Sequence, residues 1–166
     1  MRYKILFLPL LGFLLAGCSV ISKEIRQEVD RGVTLPMVQA DPDAFKGKKV
    51  IWGGIIVSSK NLPDKTIIEV LQTPLDARDR VTDKELSQGR FFVESSKYLD
   101  TFVYRTGKEI TVAGVIKGVT TQKIGERDYT YPVLESLEIH IFEPWRPEFI
   151  YEPPSPWWDY PSYPTR

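Results

Sequence analysis

The chain has 166 residues, with 22 basic and 22 acidic side chains, one histidine and one cysteine. That length is one domain's worth of chain and can bury a real core. The even charge lacks the basic excess with which nucleic-acid binders neutralise phosphate, and a single cysteine excludes a disulfide framework.

Arg2 and Lys4 precede an apolar run from Ile5 to Ala16. A positive start followed by a short greasy stretch is the layout of a secretory signal. The run is shorter than the roughly 20 apolar residues that span a bilayer. It ends in Leu15-Ala16-Gly17-Cys18, which places the only thiol directly after two small residues. This resembles a bacterial lipobox. The resemblance implies that residues 1–17 are removed, that Cys18 takes a diacylglycerol on sulfur, and that its new amine is acylated. Each buried CH₂ of such chains contributes about 0.8 kcal/mol, and two or more chains anchor stably. Ser19 stands where an Asp would mark inner-membrane retention in enteric-type bacteria, so it implies export to the outer membrane. Apart from the covalent lipid, no cofactor is expected.

Residues 18–40 read as the lipidated N-terminus and a tether, with one or two helical turns over Ser22 to Val29. Residues 41–143 read as the folded domain. Asp41-Pro42 starts a short capped turn, with Asp41 as N-cap and Pro42 at the first helical position. From Lys48 the texture becomes that of strands. Val50 to Val57, Thr66 to Leu71, Arg90 to Glu94 and Glu109 to Val119 are β-branched or aromatic runs with turn residues between them. In the fourth, Ile110, Val112 and Ile116 alternate with Thr111 and Lys117. Residues 129–142 form one long strand or two split near Pro132 and Ser136, with Leu137, Ile139 and Ile141 opposing Glu138 and His140. Asp76, Arg78, Asp79 and Arg80 read as a solvated loop, with one helical turn expected at Asp83 to Leu86.

One stretch echoes another: Gly47-Lys48-x-Val50-x-Trp52-x-Gly54-x-Ile56 matches Gly107-Lys108-x-Ile110-x-Val112-x-Gly114-x-Ile116. Glycines among the inward positions of long strands permit the coiling that closes a barrel. The expected fold is therefore all-β, a small closed Greek-key barrel of OB-like type, with a small sandwich as the alternative.

The last stretch, Pro144 to Arg166, holds seven prolines and seven aromatic residues and no glycine. Proline density of this kind favours extended chain. Its rings either cover an apolar face of the barrel or dock on a partner, with Trp145, Trp157, Trp158 and Tyr160 as candidate partner-binding residues.

Catalytic signals are lacking. His140 is alone, and a metal site needs several converging ligands. Ser58-Ser59 and Ser95-Ser96 have no nucleophile-elbow context, and no phosphate-binding glycine pattern precedes a helix. No enzyme activity and no metal are expected.

The lipobox, "FKGKKVIWGGIIVSSKN", "TIIEVLQTPLDARDR", "GRFFVESSKYLD", "GKEITVAGVIKG" and "YPVLESLEIHIFEPW" together resemble the Slp family of outer-membrane lipoproteins, which are starvation-inducible. The resemblance covers residues 40–145 and implies a lipid-anchored domain in the outer membrane that faces the periplasm. It implies a role in starvation or stress adaptation and carries no catalytic residue. The expected partners are outer-membrane lipid, through the acyl anchor, and an unidentified envelope protein or polymer. The alternative is a small-ligand or lipid-binding barrel with its pocket at the barrel mouth.

Overall fold

The computed structural model of the protein describes residues 19–143. The signal segment, Cys18 and the Pro/aromatic tail with Trp145, Trp157, Trp158 and Tyr160 lie outside the described residues.

Eight elements follow in order: α1 (Lys23–Glu28), α2 (Leu35–Ala40), α3 (Pro42–Phe45), β1 (Lys49–Asn61), β2 (Thr66–Thr73), β3 (Gly89–Ser95), β4 (Glu109–Ile124) and β5 (Arg127–Phe142). The strands close into a barrel in the order β1-β2-β3-β5-β4. Neighbours are antiparallel except β3 and β5, which run parallel through Phe92↔Val133 to Glu94↔Glu135. The ring closes on itself, while β4 beyond Ile116 pairs only with β5 and β1 beyond Ile56 only with β2.

The interior is filled by inward positions of all five strands. Val50, Ile56, Ile68, Val70, Phe91, Val93, Ile110, Val112, Ile116 and Leu134 are fully buried. A barrel of few strands has room for these side chains and little else. Trp52 sets its ring edge-on to Phe91, with centroids 5.4 Å apart, and its indole N–H donates to the Val33 carbonyl at 3.1 Å. A buried indole N–H needs such an acceptor. The expected cap forms as read: the Asp41 carboxylate accepts from the Ala44 amide, and Pro42 opens α3.

The two echoing stretches are paired with one another. β1 and β4 run antiparallel with Trp52↔Val112 at the centre, so that Gly54 faces Ile110 and Gly114 faces Val50. The repeat is thus a local pseudo-twofold within the sheet. Gly54 is required by close approach: a Cβ there would lie 1.9 Å from the Leu71 carbonyl oxygen on β2. β1 pairs with β4 through its first half and with β2 through its second, overlapping at Gly53 to Ile55, and this close approach lies in the overlap.

Four expectations are corrected. Residues 19–40 are not a free tether, because Ile21, Val33, Leu35 and Val38 are buried, the last three in the main core. β4 runs on to Ile124 rather than ending at Val119. The fifth strand is a single 16-residue element, and Leu137 does not share the face of Ile139 and Ile141. The register slips between Ala113↔Glu138 and Gly114↔Ser136, leaving Leu137 as the extra residue. A one-residue bulge resets the alternation, and Leu137 is 46% exposed while Ile139 and Ile141 pack on the core. Asp83 to Leu86 forms bends rather than a helical turn, with the Asp83 carboxylate taken by the Glu85 amide.

Candidate functional site

The loop between β2 and β3 folds back over the outside of the sheet. Its turn is built on Asp76, whose carboxylate accepts from the Arg78 and Arg80 amides at 2.8 and 2.9 Å. The Arg80 amide, working against partial desolvation and helped by Arg78, holds the Asp76 carboxyl below the usual carboxylate range. Asp79 sits in the left-handed region at φ 62°, which Asp tolerates better than most residues.

Asp79 is not solvated: its side chain is 0% exposed. Arg31 reaches it at 2.9 Å. Arg26 Nε lies 3.2 Å from the other oxygen, close enough for an ion pair but without hydrogen-bond alignment. The Arg26 guanidinium donates instead to the Ala77 carbonyl at 3.2 Å. Thr111, the outward residue of β4, donates its hydroxyl to the Asp79 carbonyl at 2.7 Å. This explains why Thr111 is fully buried although it alternates with the core positions.

Ser19 completes the cluster. Its hydroxyl donates to Asp79 at 2.7 Å across 60 residues of sequence. The Val20 amide reaches the Arg78 carbonyl, and the Ser22 amide reaches the Glu138 carboxylate at 3.1 Å. The residue expected to direct sorting is therefore bound into the domain. The lipobox residues Leu15, Ala16, Gly17 and Cys18 lie outside the described residues, with Cys18 one peptide bond before Ser19.

A second polar cluster is built around Glu69 of β2, which pairs with Ser58 of β1 and Phe92 of β3. Glu69 accepts from Arg90 at 2.8 Å, Tyr131 at 3.1 Å and Ser58 at 3.2 Å. Its hydrogen bond raises the Arg90 pKa. Burial, then the Glu69 charge, pushes the Tyr131 hydroxyl up. Phe92 stacks on Tyr131 at 4.3 Å and 17°, and Tyr129 meets Tyr131 edge-on at 4.7 Å. A groove of about 260 Å³ runs past this cluster, bounded by Leu62 of the β1–β2 turn and Gln122 of the β4–β5 hairpin, with Ile67, Glu69 and Phe92 along it. Sequence reading missed Glu69, Phe92 and Tyr131 as a group. The available signal was an outward aromatic beside an inward one in "GRFFVES".

His140 is exposed, as expected, beside the Phe142 ring at 4.5 Å. Among the described residues no group of three or more His, Cys, Asp or Glu could hold a metal, and no helix is long and apolar enough to cross a membrane.

Geometry of this kind defines a five-stranded closed barrel with an outer layer fastened by a buried ion pair at its N-terminal end. The chain belongs to the outer membrane lipoprotein Slp family, whose model matches residues 15–164. It is 30% identical over 125 residues to the uncharacterized lipoprotein YeaY of Escherichia coli K12, covering 75% of this chain and 64% of that protein's length. It is 32% identical over 161 residues to an uncharacterized protein of Haemophilus influenzae, covering 96% of this chain and 86% of the relative. Among solved structures, the small single-stranded DNA-binding protein of Streptomyces coelicolor matches 57% of this chain and 93% of its own, at 17% identity and a TM-score of 0.37.

Proposed function

We propose that this protein is acylated at Cys18, is exported to the outer membrane with Ser19 as its sorting residue, and holds a non-catalytic OB-like Greek-key barrel against the periplasmic face. There it serves as an interaction module during starvation or stress adaptation. The observation that carries this reading is the Ser19–Asp79 contact. It holds the residue that follows the lipid-bearing cysteine in the chain on the domain itself, which supports a barrel seated close to the membrane. Membership of a lipoprotein family supports the anchor. The filled interior turns the ligand reading away from the barrel mouth and toward the outer faces.

The test is fractionation with intact-mass analysis. The native protein is expected in the outer-membrane fraction with the mass of three acyl chains, and Cys18→Ala in the soluble periplasmic fraction or retained with its signal. Unacylated native protein in the soluble fraction overturns the reading.

A further inference from the structure

Of the surfaces outside the ion-pair cluster, the groove between the β1–β2 turn and the β4–β5 hairpin carries chemistry that nothing above uses. Glu69 has about four lone-pair sites as a carboxylate, and Arg90, Tyr131 and Ser58 occupy three of them. One acceptor site remains, held in place by its three donors. Phe92 gives one ring face to Tyr131 and lines the groove with the rest. Ile67 and Leu62 add apolar surface, while Lys60 and Gln122 bring donors at the rim.

This combination narrows the occupant. Lys60 and Glu69 leave the lining without net charge, so a phosphate chain gains nothing from counterion release and meets a carboxylate. A lipid tail would strip water from Ser58, Glu69 and Gln122 without replacing their hydrogen bonds. Strand addition engages backbone groups at a free sheet edge, whereas the floor of this groove is made of outward side chains of residues already paired across β1, β2 and β3, Ser58 with Glu69 and Glu69 with Phe92. The volume is below the roughly 300–1,000 Å³ of drug-sized sites, so it suits a single ring. A pyranose has the matching faces: C–H surface for Phe92 and Ile67, and hydroxyl or amide groups for Glu69 and Gln122.

We propose that the groove binds one sugar ring of an envelope glycan, with Phe92 as platform, Glu69 as hydroxyl acceptor and Gln122 as rim contact. The proposal rests on the reading of the chain as a non-catalytic interaction module of the envelope, and it names the polymer.

The experiment titrates the full acylated protein in lipid nanodiscs with a β-1,4-linked N-acetylglucosamine trisaccharide, following the Ile67 and Leu62 methyl signals by NMR. Saturable shifts are expected with a Kd on the order of 1 mM. Phe92→Ala is expected to weaken binding about tenfold. Because Phe92 also packs on Tyr131, exposed Gln122→Ala serves as the variant that leaves the fold intact, with an expected loss of about threefold. Three results overturn the proposal: methyl signals that stay still at about 10 mM sugar, equal binding by Gln122→Ala and the native protein, or the same shifts produced by a single-stranded oligonucleotide and not by the sugar. Membrane fractionation reads the anchor separately, so failure of sugar binding leaves the lipoprotein reading standing, and a soluble protein that binds the sugar overturns only the anchor.

Discussion

Asp79 and Glu94 are each straddled by two cations, yet they sit in different solvents. Asp79 is 0% exposed between Arg26 and Arg31. Glu94 keeps 18% of its side-chain surface and is held by Lys65 at 2.6 Å and Lys117 at 2.9 Å. Around Asp79 the N-terminal segment and the β2–β3 loop exclude water, so its charge depends on its partners. Around Glu94 water remains a competitor and screens the pairs. The same motif thus fastens one layer of the molecule and merely decorates another. The difference also explains the choice of cation: Arg's planar fork suits the desolvated site, and Lys the wet one.

The largest effect is expected where the buried carboxylate loses both partners. The Arg26→Met/Arg31→Met double variant leaves Asp79 buried and uncompensated, at a cost of about 3–5 kcal/mol. Asp79→Ala removes the carboxylate instead and leaves two arginines that are 31% and 48% exposed and can reach water. Its cost is expected to be smaller, about 2 kcal/mol. Urea unfolding of both variants checks the order, and the comparison breaks if Asp79→Ala is the worse of the two. Asp79→Ala also frees Ser19, so in membranes trypsin is expected to cut at Lys23, Arg26 or Arg31 and release the barrel, while the native protein resists.

On the groove side, Tyr131→Phe removes one of the donors to Glu69 and keeps the stack on Phe92. The expected loss is about 1 kcal/mol, because the partner carboxylate retains Arg90 and Ser58. A loss as large as that of the Asp79 variants would show that the groove face is as desolvated as the Asp79 ion-pair cluster.

What could be read from sequence follows the range of the interactions. The five strands were legible because β-branched alternation is local, and the Asp41 cap because its partner is three residues away. Leu137 was misread because a bulge is set by the neighbouring strand, and alternation along β5 alone carries no sign of it. Residues 19–40 and 76–80 were misread together. Val33, Leu35 and Val38 dock on the barrel core, and the polar residues of the two segments meet one another: Arg31 finds Asp79 across 48 residues and Ser19 finds it across 60. Asp, Arg and Ser in loops are solvated far more often than not, so burial here is a tertiary fact. The Glu69–Arg90–Tyr131 group was missed for the same reason, since it draws on three strands.

The smallest effect belongs to Glu94 and appears in pH. Burial alone would raise its pKa, but the hydrogen bonds and charges of Lys65 and Lys117 outweigh it and hold the carboxyl below the ordinary glutamate range. A carboxylate whose pKa is depressed by folding contributes stability above its unfolded value, near pH 4.3, and loses it as pH falls through the folded value. Melting temperature is therefore expected to be insensitive to this group between pH 7 and about pH 5, and to drop below about pH 4. Glu94→Gln should cost less than about 1 kcal/mol at neutral pH, as partly exposed pairs do, and should flatten the acid limb by the same amount. Added salt should shrink the difference between variant and native protein, because both lysines remain open to solvent. If salt leaves that difference unchanged, Glu94 is as shielded as Asp79, and the contrast between the two carboxylates is wrong.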